Sequence, residues 1–224
     1  ITDLNGDLAL SGAGTITLDA VNLGADVSTV GGAIDFGGAV TGDKGSATAV
    51  GTGAGGGDVT FGSTLALSAG GADDLTITGG TGAVTLTGGV TIDDNDLSIA
   101  SSQNSVITAG ISGSTGALNV TDSGITDLNG DLALSGAGTI TLDAVNLGAD
   151  VSTVGGTIDF GGAVTIDANS IVKATTGTIQ FLSTVTDNTD SFSLTIGDAS
   201  QTGAVTFVNN LTINTLVTGA SAFN

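Results

Sequence analysis

Apolar and polar residues alternate along this chain in short runs, each closed by Gly, Asp, Asn or Ser. One run recurs: a small or polar residue, an apolar one, another polar one, then Phe, Leu or Val. It stands as TITL (15–18), AIDF (33–36), DVTF (58–61), AVTL (83–86) and ALNV (117–120). It continues as TITL (139–142), TIDF (157–160), TIQF (178–181) and AVTF (204–207). Alternation with period two is the mark of a strand with one buried face, so Ile16 and Leu18 point one way and Thr15 and Thr17 the other. Further alternating pairs lie between these runs, among them Leu65/Leu67, Leu75/Ile77, Val90/Ile92, Leu97/Ile99, Val164/Ile166 and Leu194/Ile196.

Successive runs start 18 residues apart at the closest (15 to 33) and 34 at the widest (83 to 117). Their typical spacing falls in the 20–29 residue range of solenoid turns. A β-sandwich would place its strands every 8–12 residues with no larger unit above them. The predicted fold is therefore all-β, a parallel β-helix (β-solenoid) of about nine coils. Stacked at the ordinary strand spacing, nine coils make a rod of roughly 45 Å. Phe36, Phe61, Phe160, Phe181 and Phe207 share one position of the run, which predicts a single internal stack. The long interval predicts an insertion at 101–116, leaving the rod as a loop, and the Gly-rich stretch 42–57 predicts a loose loop or thin strand.

A longer period lies above the short one. Residues 1–41 recur at 125–165 with one change, Ala33 against Thr157. Verbatim duplication suits a scaffold of stacked units, because each unit need only match its neighbours. The chain is expected to be a single β-solenoid segment over 1–224 with a 124-residue repeat, 1–124 and an incomplete 125–224. The first copy begins at Ile1 with no initiator Met and no lead-in, which predicts a piece of a longer repetitive protein.

Composition narrows the chemistry. The chain carries 22 acidic residues, all Asp, against Lys44 and Lys173, for a net charge of -20. Its 39 glycines and its wealth of Thr, Val and Ile suit turns and strands, while helix formers such as Glu, Lys, Gln and Arg are scarce. Hydrophobic content of 40% is too high for a disordered acidic tail. No apolar run reaches the roughly 20 residues of a membrane span. The charge repels nucleic acid and anionic membranes, so neither is an expected partner.

With His, Cys, Tyr, Trp and Arg absent, the usual general bases, nucleophiles and sugar-stacking rings are missing, and no enzyme is expected. Paired Asp residues keep a β-helical polysaccharide-degrading enzyme as a third reading. Calcium is the stronger option. Asp3, Asn5 and Asp7 alternate like the opening of an oxygen-ligand loop, Asp127, Asn129 and Asp131 repeat them, and Asp93, Asp94 and Asp96 flank Asn95. The twelfth position of the helix-loop-helix calcium pattern is Gly14 or Gly138 instead of Glu, and Asx-turns between strands explain the same residues. Outward Thr pairs such as Thr15/Thr17 and Thr139/Thr141 raise an ice-binding module as the alternative, but Asp interrupts the row.

The Gly-x-Ile/Val-x-Phe/Leu strands with GGAVTID-type continuations resemble the repetitive regions of bacterial surface proteins, namely filamentous-haemagglutinin-like exoproteins and autotransporter adhesins. The resemblance is one of texture across nearly the whole chain, and the scarcity of Lys and Arg departs from it. It implies a right-handed parallel β-helix, export to the cell surface, and roles in adhesion, aggregation or biofilm matrix. The expected protein is thus an extracellular structural or adhesive filament. Its expected partners are copies of itself, end to end or side by side, or neighbouring cell surfaces, with calcium as a bridging ion.

Overall fold

The computed structural model describes residues 1–67, 70 and 72–219. These contain 31 short strands and no helix, arranged in three parallel sheets. Sheet A has 11 strands; sheets B and C have 10 each. The chain visits A, B and C in strict rotation, so each strand pairs with the third one before and after it. The first turn is β1 (Thr2–Leu4), β2 (Leu8–Leu10) and β3 (Ile16–Leu18). The second, β4 (Val21–Leu23), β5 (Val27–Thr29) and β6 (Ile34–Phe36), stacks on it in register, and the pattern repeats to the top of the rod. The result is a three-faced β-solenoid of about ten turns, roughly 48 Å long at the usual strand spacing.

Most strands are three residues long, and their outer two side chains point inward. Like stacks on like. In sheet B the inner row runs Val27, Val50, Ile77, Ile99, Val120, Leu142, Phe160, Phe181 and Phe207. Every one from Val27 to Phe181 is at most 1% exposed. Burying a side chain of this kind contributes about 1.5–3 kcal/mol. Parallel sheets are usually covered on both faces. Here only the inner face is covered, which is why each strand alternates and why Thr, Ser, Asn and Asp hold most of the outward positions.

The duplicated segment does not return to the same face. Thr2–Leu4 begins the first copy in sheet A, whereas its counterpart Thr126–Leu128, seventeen strands later, lies in sheet C. Likewise Ile34–Phe36 is in sheet C and Ile158–Phe160 in sheet B. Seventeen strands are five full turns plus two faces, so the 124-residue repeat rotates its own sequence by one face about the axis.

That rotation corrects three expectations. The recurring run occupies sheet C through AVTL (83–86) and sheet B from ALNV (117–120) onward. The phenylalanines therefore form two stacks: Phe36 on Phe61 in sheet C, and Phe160, Phe181 and Phe207 in sheet B, all neighbouring centroids 4.7 Å apart. Residues 101–116 are no inserted loop. They hold the strands Ser105–Ile107 and Ile111–Gly113, with Ile107 and Ile111 fully inside, and the long interval is one turn plus two strands. Counting runs consequently missed strands and gave nine coils where ten turns stand. The stretch 42–57 contains the strand Thr48–Gly51, with Val50 buried, between two turns.

Glycines at the corners follow the same rotation. A Cβ on Gly32 would sit 1.9 Å from the carbonyl oxygen of Gly14 in the rung below. On Gly156 it would sit 1.9 Å from Gly138 O, the equivalent contact on a different edge of the rod. Neighbouring corners approach too closely there for any side chain.

Candidate functional site

The residues singled out for calcium lie at or beside the corners, and most of them tie one rung to the next. Asp7 Oδ1 accepts the Asp26 amide at 3.2 Å, and Asp131 Oδ1 accepts the Asp150 amide at 3.0 Å. Asp3 and Asp127 are the outward residues of their strands; Oδ1 of each accepts from the side-chain amide of Asn22 or Asn146 at 2.6 Å. Asn5 and Asn129 are exposed, their Oδ1 atoms lying over Gly24 and Gly148 of the next turn. The two copies thus make the same contacts on different faces.

The second cluster behaves similarly. Asp93 adopts a left-handed backbone (φ 46°), a conformation Asp tolerates better than most residues, and its carbonyl accepts the Ser114 amide. Asp94 Oδ1 accepts from Thr115 Oγ1 at 2.9 Å, and Asp96 Oδ1 accepts the Ala117 amide at 2.7 Å. Asn95 is fully buried; its Nδ2 donates to Ile92 O and its Oδ1 accepts the Asp73 amide.

A rule emerges from these contacts. The residue just before a strand is repeatedly Asp or Asn, and its side-chain oxygen accepts the backbone N–H stacked above it. Asp58 does so for Ala83, Asp74 for Asp96, Asn104 for Ile125 and Asn169 for Ser193. Each side-chain oxygen extends the ladder by one hydrogen bond at the corner. Such a bond contributes about 0.5–1.5 kcal/mol net. Among the described residues no group of three or more Asp side chains is placed to hold one metal ion.

Both lysines are engaged within the rod. Lys44 Nζ lies 3.0 Å from Asp26 Oδ1, and Lys173 Nζ lies 2.7 Å from Asp198 Oδ2. The Lys44 ammonium and the Ala49 amide together hold the Asp26 carboxyl below the usual range. Lys173, with the hydroxyl and amide of Ser200, does the same more strongly for Asp198. The described surface has no cleft or cavity, and no helix among the described residues is long and apolar enough to cross a membrane.

Sequence reasoning missed the polar residues inside the rod. Gln201 is fully buried, its Oε1 accepting the Ala174 amide while Nε2 donates to Gly177 O and Gly203 O. Asp122 is 4% exposed at a corner between sheets B and C. Beside it, Ser105 and Thr126 occupy an inner row of sheet C that is otherwise Ile and Val from Ile16 to Val185. The available signal was a hydroxyl where the alternation of SVI (105–107) and TDL (126–128) calls for a buried apolar residue.

Comparison of the chain with protein-family models, with curated proteins and with solved structures returned no match.

Proposed function

We propose that this chain is a structural segment of an extracellular filament at a cell surface or in a matrix, with mechanical work as its function: spacing, cohesion and attachment. The observation that supports this reading is the rotated duplication. One 41-residue sequence serves sheets A, B and C in its first copy and C, A and B in its second, with the same rung-to-rung hydrogen bonds. A ligand site needs its residues in one orientation on one face. A rod that presents the same sequence in different directions suits a part that is laid down by length.

The outward rows favour the same reading over an ice-binding one. Three-residue strands offer one outward side chain per turn and face. In sheet C that row runs Thr17, Asp35, Thr60, Thr85, Val106, Asp127, Asn146, Thr165, Thr186 and Thr212. Two regular Thr columns, which a lattice-matching surface wants, do not form. No residue is assigned a catalytic role.

The charge of -20 on a thin rod opposes lateral contact until cations screen it. Calcium enters this proposal as a bridging counter-ion between copies of the chain. Negative-stain electron microscopy of the purified chain, in millimolar calcium and in chelator, tests it. Bundles or long filaments that disperse in chelator are expected. Single short rods in both conditions would remove self-association and calcium bridging from the proposal, and measurable thermal hysteresis would replace it with the ice-binding reading.

A further inference from the structure

We propose that Asp122, Ser105 and Thr126 form a pH-sensitive weak point in the middle of the solenoid, tight when Asp122 is protonated and loosened when it is ionised. The cluster lies inside the rod between its fifth and sixth turns. Ser105 and Thr126 are register partners, 1% and 0% exposed, and Asp122 at 4% exposure tucks in beside them. Thr126 Oγ1 donates to Asp122 Oδ2 at 3.3 Å, a long bond. Asp122 Oδ1 and Ser105 Oγ are buried and complete no hydrogen bond. An ionised carboxylate here is taken out of water, and the long Thr126 bond offsets little of that cost. A proton removes the buried charge and gives the carboxyl a donor of its own beside the unsatisfied Ser105 Oγ.

The neighbouring elements supply no compensating cation. The corner beneath, 102–104, carries Ser, Gln and Asn; the strand Thr126–Leu128 carries only the outward Asp127; and the corner above carries Asp143. Burial pushes the Asp122 carboxyl up, the hydroxyls of Ser105 and Thr126 and the backbone amide of Ser101 draw it partly back, and the negative charge of Asp143 pushes it further up. The direction of the linkage follows. A group whose carboxyl is raised on folding contributes stability in acid, below the range of an unfolded Asp, and loses it as pH climbs through the folded value. The loss is local, because each turn of a solenoid touches only its neighbours.

The test uses the whole chain. A carboxyl-carbon NMR titration should place Asp122 above the ordinary Asp value of about 3.9; a midpoint at or below that value overturns the proposal. Native-state hydrogen exchange, corrected for the intrinsic pH dependence of exchange, supplies the second readout. Protection of the strands Ser105–Ile107 and Thr126–Leu128 should fall as pH climbs from the unfolded Asp range through the titration measured for Asp122, while the outer turns hold steady. Asp122→Asn, which keeps the shape and removes the titration, should abolish that local fall. A fall that is uniform along the rod and screened by salt, or one that persists in Asp122→Asn, assigns the effect to overall charge and overturns the proposal.

Discussion

Phe181 gives the most direct test of how the rungs hold together. Its ring is fully buried between Phe160 and Phe207, each centroid 4.7 Å away, with interplanar angles of 7° and 2°. Phe36, also fully buried, has one ring partner, Phe61, at the same distance; its neighbour on the other side is Leu18. Replacing either by Leu keeps most of the apolar volume, so burial lost should be similar at the two sites and cost about 1–2 kcal/mol. Ring pairs add about 0.5–1.5 kcal/mol each beyond burial. Phe181→Leu should therefore cost about 0.5–1.5 kcal/mol more than Phe36→Leu, the worth of one extra ring pair. The chain has neither Trp nor Tyr, so unfolding in urea is followed by circular dichroism in the β-sheet band. Equal losses within a few tenths of a kcal/mol would refute the reasoning, since aligned rings would then add nothing beyond the area they bury.

Three more perturbations probe the corners and the turns. Gly156→Ala, which drives a methyl into the Gly138 carbonyl, should cost about 1–3 kcal/mol. Gly6→Ala, with nothing within 4 Å, should be neutral or slightly stabilising, and urea midpoints of the pair decide it. Deleting residues 132–150 joins Asp131 to Val151, the register partner of Leu132, and should leave a folded rod one turn shorter, by circular dichroism and electron microscopy. Lys173→Met should raise the titration of Asp198 toward the ordinary carboxylate range by NMR. Because the folded Asp198 carboxyl is depressed, its contribution is present above the unfolded Asp range and fades as pH falls, opposite in sign to that of Asp122.

The architecture was legible because a solenoid writes its period into the chain. Alternation within three-residue strands and Gly before Ile or Val both have local causes, one in the pleat and one in the close approach of corners. Turn count and face assignment were not legible from the recurring run alone. SVI (105–107) and ISG (111–113) carry Ser and Gly at positions where other strands carry bulky apolar residues, so they fell below the pattern and passed for a loop. The Asp and Asn corner residues were visible as a group, but their acceptor role needed the rung above, about 19–25 residues away. Asp122 was hidden for a different reason. TDSG looks like any other turn, and the burial of its carboxylate shows only once Ser105 and Thr126 are stacked in the inner row of sheet C.

An exact copy can serve another face because the neighbours of a strand lie along the axis. Ile34 and Phe36 sit in sheet C, Ile158 and Phe160 in sheet B, yet all four are fully buried and both phenylalanines stack on another ring. What each strand meets is decided by the strand one turn below and one turn above, both supplied largely by the same repeat. Rotation by one face therefore leaves the inner contacts intact and moves only the outward side chains and the acidic corners. Asp7 and Asp26 mark the edge between sheets A and B, whereas Asp131 and Asp150 mark the edge between C and A. Any further copy of the 124-residue unit would carry the acidic edge to the third side, so a longer rod would present its charge in every direction within about 80 Å. A filament bridged by cations through such edges would cohere in three dimensions instead of as flat ribbons, and that geometry follows from seventeen strands not being a multiple of three.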